Sequence, residues 1–280
     1  MGALLSKTLL VLREALLYRG NMTIAAAGRI DMVGKALRLL TALGELPDGA
    51  TLSELSRSVG YPTSTTFRLL GTLARDGFVE FDEVTKRYRL GLTIFALGQR
   101  VSQAHGFGGV ALPIMQNLSA QTREASLMSV LDGDRQLYVH YVDGPQQVSV
   151  IGEPGKHGPI HSTSMGKVLI AFAPPEVREH LLDTIELPAT GPNTITDRDA
   201  LRAEIARVRR DGYATADEEH EGGIRAVGVP IRDAAGIGVA ALSVAAPAFR
   251  ASMEHLVGFV PVLTAAAHEL ALRLPTGRAR

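Results

Sequence analysis

The chain has 280 residues, 46% hydrophobic and 21% charged, and its 29 basic and 29 acidic side chains leave no net charge. That length suits two domains, and the composition is that of an ordinary globular protein able to bury a core unaided. The lack of cysteine excludes disulfides, thiolate metal sites and cysteine nucleophiles, and zero net charge means that any binding of nucleic acid must come from one local basic face.

Leu5, Leu9, Leu12 and Leu16 recur at helical spacing, so residues 1–29 read as an N-terminal helical extension, with Met22 and Met32 as alternative starts. Lys7, Arg13 and Glu14 interrupt the apolar run, which argues against a signal peptide. No run of 18 apolar residues marks a membrane span, so no membrane partner is expected and the chain is placed in the cytoplasm.

From residue 30 to 44, Ile30, Val33, Leu37, Leu40 and Leu43 trace an apolar stripe and predict a helix that stops near Gly44. Thr51-Leu-Ser-Glu54 has the form of a capping box. It predicts a short helix with Leu52, Leu55 and Val59 inward, closed by Gly60. Pro62 opens a third helix reaching about Asp76, with Phe67, Leu70 and Leu73 as its apolar residues. Two short strands, 78–81 and 87–90, flank the turn 82–86. Residues 92–105 predict a connector helix, and the glycines at 106, 108 and 109 mark a joint. Beyond it, helices are expected near 110–123, 165–172, 175–183, 197–211 and 251–273. Strands are expected near 126–131, 136–142, 147–151, 213–216, 224–232 and 236–245, with Asp132-Gly133 as a hairpin turn. Helices alternating with strands imply an α+β domain built on a central sheet.

Helix, short helix, tight turn, helix and two-stranded hairpin form the order of a winged helix-turn-helix. In that arrangement the third helix must enter the major groove with its N-terminal half. Here that half carries Thr63, Ser64, Thr65, Thr66 and Arg68, small hydroxyls and a guanidinium suited to phosphates and base edges. Thr51, at the start of the second helix, and Lys86, Arg87 and Arg89, on the hairpin, complete the candidate DNA-binding set.

The stretch TLSELSRSVGYPTSTTFRLLGTLARDGFVEFDEVTKRYRLG, and the helix after it, resembles the DNA-binding domain of the IclR family of bacterial regulators. HSTSMGKVLIAF, TGPNTITD, DGYATADEEHEGGIRAVGVPIRD and ALSVAAP resemble that family's effector domain in the same order, so the likeness spans about residues 30–270. The resemblance implies a winged helix-turn-helix at 30–91, a connector helix at 92–108, and at 109–275 a GAF-like mixed α/β domain for effector binding and oligomerisation. It also implies a double-stranded operator with an inverted repeat, a small organic or aromatic acid as effector, and homodimers that pair into a dimer of dimers.

By the same resemblance, three segments form an effector pocket. Ser164, Met165 and Gly166 begin a helix, whose free amides attract anions. Asp217 and Ala226 lie on the second segment, and Ser243 and Ala245 on the third. Alanine stands at 226, where relatives often carry cysteine, and at 245, where many carry a second serine. Arg225 has a structural alternative as an ion-pair partner of Glu218 or Glu219.

No G-x-S-x-G elbow or G-x-G-x-x-G turn occurs. Met165-Gly166-Lys167 falls short of a phosphate loop, because His161 replaces the first glycine and Val168 follows the lysine. His161 and His220 lack a spaced third ligand for zinc. Neither catalysis, cofactor nor metal is expected. The alternatives that stay open are a small-molecule-metabolising enzyme with an accessory DNA-binding domain, and a scaffold without a ligand.

Overall fold

The computed structural model describes residues 31–104 and 107–273. They fall into two compact units, the first ending at Val101 and the second starting at Ser102. The helical extension expected at 1–29, Ile30 of the first stripe and Gly106 lie outside the described residues.

The first unit runs α1 (Met32–Gly44), β1 (Ala50–Thr51), α2 (Leu52–Val59), α3 (Thr63–Arg75), β2 (Val79–Asp82) and β3 (Arg87–Leu90), and then into α4 (Leu92–Ala104). Asp31 caps α1 by accepting the Gly34 amide at 2.7 Å. The Thr51 box is formed in both directions, 3.3 Å from the Glu54 amide to the hydroxyl and 2.8 Å from the Thr51 amide to the Glu54 carboxylate. Gly60, with φ of 70°, ends α2, and Pro62 is the N-cap of α3 rather than its first turn. The short β1, which the sequence pattern did not predict, pairs with β3 to give a three-stranded sheet in the order β1-β3-β2.

The core of this unit holds Leu39, Leu43, Leu55, Leu69, Leu70, Val79 and Tyr88. The expected α1 stripe is therefore turned. Val33 and Leu37 are exposed, and Leu39 takes their place inside. Phe67, expected in the core, is 59% exposed because Leu69 and Leu70 fill the inward face of α3.

The second unit starts with a π-helical turn (Phe107–Ala111) and α5 (Leu112–Thr122). It continues through β4 (Ala125–Asp132), β5 (Arg135–Val142), β6 (His157–Gly158), α6 (Ser164–Phe172), α7 (Pro175–Thr184) and α8 (Arg198–Asp211). β7 (Ala214–Asp217), β8 (Ile224–Arg232), β9 (Gly238–Pro247), α9 (Met253–Val257) and α10 (Val260–Arg273) complete it. The strands form one sheet, β6-β5-β4-β9-β8-β7, with every neighbouring pair antiparallel.

Period-two alternation splits the side chains of this sheet between two cores. Met128, Val227, Val229, Leu242 and Val244 face α5, α9 and α10. Leu127, Ala241 and Ala245 face α6, α7 and α8. The expected strand at 147–151 does not form; that segment runs as irregular chain into β6. The expected helix 251–273 is broken into α9 and α10. Met253–Arg273 is the one stretch among the described residues with the length and mean hydropathy, 1.4, of a bilayer span. Here Leu256, Leu263, Ala267 and Leu270 go into the core beneath the sheet.

Candidate nucleic-acid interface and effector cavity

At the start of α3, Thr63, Ser64 and Arg68 are exposed and Thr65 is half-buried. Thr66 corrects the expectation for this group. It is fully buried, and its hydroxyl donates to the Pro62 carbonyl at 3.2 Å, so it serves the helix start and is shut away from any duplex. Phe67, beside Arg68 and outward, is the surface residue that the apolar pattern had hidden.

On the hairpin, Asp82 accepts the amides of Val84 (2.8 Å) and Thr85 (3.1 Å) and so shapes the turn. Lys86 follows in a left-handed conformation, exposed at the tip. Arg87 is committed elsewhere. Its guanidinium donates to the Gly49 carbonyl at 2.8 Å and lies 3.6 Å from Glu54, bracing the hairpin against the start of α2. Arg89 is exposed and makes a long contact, 3.4 Å, with the Asp48 carbonyl.

In the second unit a cavity of about 260 Å³ lies between α6, the sheet and the segment 150–159 that runs into β6. Ser164, Met165, Ala226, Ser243 and Ala245, all expected at one site, line it together. The Ser164 and Ser243 hydroxyls are 3.1 Å apart and buried. Thr163 caps α6 by accepting the Gly166 amide at 2.9 Å. The amides of Ser164 and Met165 belong to the first turn, where no intrahelical carbonyl serves them, and they add the partial positive charge of a helix start. Small residues make the room. A Cβ on Gly228 would come within 3.1 Å of the Ser164 hydroxyl and 3.3 Å of the Met165 amide, so a glycine there lets α6 sit close on β8.

Two expected pocket residues are elsewhere. Gly166 does not line the cavity; its missing side chain lets α6 pass over Ile160, whose carbonyl oxygen would be 2.2 Å from a Cβ. Asp217 is also absent from the lining. It pairs across the β7–β8 ladder with Arg225, carboxylate to Nε at 2.6 Å. Arg225 thus chooses Asp217 first, with Glu218 more distant at 3.8 Å.

Glu219 instead takes Lys167. This lysine is 1% exposed, yet its ammonium contacts both Glu219 oxygens, at 2.8 and 2.9 Å, and Glu204 at 3.2 Å. Arg207 grips Glu204 from the other side with two 2.8 Å hydrogen bonds. Burial raises the Glu204 carboxyl, but the Arg207 hydrogen bond and the Lys167 and Arg207 charges outweigh it and hold the group at about 2. Burial pushes Glu219 up, with Lys167 pulling it back.

Among the described residues, no three His, Asp or Glu side chains gather to hold an ion. His161 is buried with Nε2 3.0 Å from the Pro188 carbonyl, and His220 lines the cavity. Burial lowers the pKa of both rings. Tyr138, also in the wall, accepts a 2.9 Å hydrogen bond from Gln136, and burial raises its phenol. The sequence marks neither His220 nor Tyr138 as a cavity residue, because only the tertiary fold brings their segments together.

A DNA-reading head joined to a sheet domain that carries a small cavity is the build of a ligand-responsive transcriptional regulator. The chain belongs to the IclR family: the IclR helix-turn-helix domain matches residues 32–83, and the domain described as bacterial transcriptional regulator IclR C-terminal matches 99–272. It is 32% identical over 245 residues to the HTH-type transcriptional regulator KdgR of Escherichia coli, covering 88% of this chain and 93% of KdgR. The crystal structure of Thermotoga maritima IclR is 28% identical, with a TM-score of 0.71, over 87% of this chain and 98% of that one. An IclR homologue from Microbacterium hydrocarbonoxydans, crystallised with 4-hydroxybenzoate, is 31% identical, with a TM-score of 0.73, over 85% of this chain and 98% of that one.

Proposed function

We propose that the chain is a cytoplasmic regulator, not an enzyme, that senses a small organic acid with an apolar, aromatic body and changes its hold on an inverted-repeat operator in response. The observation that carries this reading is the make-up of the cavity. Ser164 and Ser243, with hydroxyls 3.1 Å apart, and Met165 at the start of α6 share the lining, and a helix start with hydroxyls beside it is chemistry that receives a carboxylate. Ala226, Ala245, Leu127 and Ile224 offer only apolar surface. An unpaired polar group against such surface loses hydration without return, at about 1–3 kcal/mol. This disfavours a two-carbon oxo-acid. The volume suits one ring, since an apolar cavity of about 150 Å³ admits benzene. The 4-hydroxybenzoate named with the Microbacterium homologue supports the same class.

Exposed Leu92, Phe95, Leu97 and Val101 on α4 support pairing into homodimers, and then a dimer of dimers, so that two α3 helices meet two half-sites. A ligand that prefers one arrangement shifts the population toward it. Calorimetric titration with benzoate and glyoxylate, followed by selection of bound duplexes from a random pool with and without benzoate, tests the reading. Benzoate binding and an inverted repeat whose recovery depends on benzoate are expected. Binding of glyoxylate alone overturns the aromatic body of the effector, and recovery of no common sequence overturns the operator.

A further inference from the structure

Among the described side chains that line the cavity, one buried polar atom is left without a hydrogen-bond partner, Nδ1 of His220. Buried polar groups are almost always paired, and each exception asks for a cause. His220 stands on the loop between β7 and β8, and its neighbours are fixed by other bonds. Glu219 is held by Lys167, and the Glu219 carbonyl accepts from Thr190 at 3.1 Å and from Thr194 at 2.5 Å. The Glu218 carboxylate takes the Gly223 amide at 2.9 Å. The loop is thus pinned on both sides of a ring whose Nδ1 makes no hydrogen bond to the protein.

We infer that His220 is a specificity-determining contact: its free nitrogen reads a hydroxyl group on the effector, so the ligand is a hydroxy-acid rather than a plain acid. This rests on the acid-sensing reading above and refines it. A half-buried imidazole in its neutral form offers one N–H and one lone pair, and brings no charge to compete for the carboxylate. The carboxylate goes to the α6 amides with Ser164 and Ser243. A hydroxyl both donates and accepts, so it satisfies Nδ1 in either tautomer. A site whose buried polar atom depends on the ligand for its partner rejects the analogue that lacks that group, because the atom is then left dry and unpaired.

Benzoate and its 2-, 3- and 4-hydroxy isomers differ only in the group in question. Each is titrated calorimetrically into the full-length chain, into His220→Phe and into His220→Gln, with melting curves to confirm that each variant is folded. The wild type is expected to bind one isomer at least tenfold more tightly than benzoate. His220→Phe is expected to bind that isomer and benzoate within twofold of each other, and His220→Gln, which keeps a hydrogen-bonding side chain, to retain part of the preference. Benzoate binding with no isomer preferred overturns the role of His220 and leaves the acid-sensing reading standing. An isomer preference that survives in His220→Phe does the same. Binding of none of the four acids overturns both.

Discussion

The Lys167 ammonium reaches both carboxylate oxygens of Glu219 inside the effector domain, and the lysine side chain is 1% exposed. The two residues join the elements that make the cavity. Lys167 sits one turn into α6, whose first residues supply the polar wall, and Glu219 precedes His220 on the opposite loop. With Glu204 and Arg207 of α8 they form a chain of alternating charge that runs from the buried lysine toward the surface.

Replacing Lys167 with Met removes the cation and leaves Glu219 buried without a counter-charge. The expected loss is about 3–5 kcal/mol, the usual cost of breaking a buried pair by taking one partner. Adding Glu219→Leu to Lys167→Met should recover most of it, since two apolar side chains of similar size leave no stranded charge. Chemical denaturation of the two variants measures this. If the double variant is no more stable than the single one, the pair is not what Lys167 contributes.

Glu204 gives the network a pH signature. Its folded value of about 2 lies below the ordinary carboxylate value of 4.5, so its ionised form stabilises the fold. That contribution is complete above the unfolded value and disappears as the pH falls from about 4.5 through about 2. The melting temperature of the wild type should exceed that of Glu204→Gln at pH 7, and the gap should close steadily between those limits. A gap independent of pH would refute the assignment.

For DNA binding, the burial of Thr66 separates two effects that the sequence merges. Arg68→Ala should cost about 1–3 kcal/mol of affinity for the selected duplex if it makes a bidentate base contact. Lys86→Ala should weaken binding to all sequences alike and flatten the salt dependence. Thr66→Val should leave affinity unchanged and lower stability by about 1 kcal/mol through the lost bond to Pro62. Electrophoretic shifts at several salt concentrations decide among these, and unchanged binding by both Arg68→Ala and Lys86→Ala would remove α3 and the hairpin from the interface.

Where chemistry is local, the sequence announced the structure. The Thr51 box, the Gly60 stop and the hairpin at 82–86 all depend on residues within a few positions of one another. Periodicity alone did less well. On α1 it chose Val33 and Leu37 over Leu39, because several leucine faces compete in one short helix and only the packing of α2 and α3 decides among them. The resemblance placed Ser164, Met165, Ala226, Ser243 and Ala245 around one cavity, yet it also proposed Asp217 and Gly166, which the register with Arg225 and the pass over Ile160 take elsewhere. The sequence drew Lys167 and His220 into view only in weighing a phosphate loop and a zinc site, and gave no sign of the contacts they make. Their roles depend on residues 52 positions away or on an atom left unpaired.

Gly166 has a steric role that can be tested apart from any ligand. A Cβ there would sit 2.2 Å from the Ile160 carbonyl oxygen and 2.6 Å from its carbonyl carbon, both backbone atoms. Neither can rotate aside, so Gly166→Ala must lift α6 from the chain beneath it. Overpacking of this kind costs about 1–3 kcal/mol, against the slight gain that alanine normally brings to a helix interior. A melting temperature at or above that of the wild type would show that α6 does not pass so close.

Ala245 tests whether the cavity is the effector site at all. Its side chain, 5% exposed, belongs to the core under α6 and also faces the cavity, opposite Ala226 on the neighbouring strand. Leucine at this position adds three carbons pointing into a void of about 260 Å³. In a filled core that change would strain the packing. Here the void receives the new atoms, which gain contacts and leave water, so stability should hold or rise. The same atoms occupy the space beside Ser243 where the ring of an aromatic acid would lie. Ala245→Leu is therefore expected to melt no lower than the wild type while binding benzoate at least tenfold more weakly by calorimetry. Loss of both stability and binding would mean that the position is already packed. Full binding with full stability would move the effector to another site, since a ligand held against Ala226 and Ala245 cannot ignore a leucine between them.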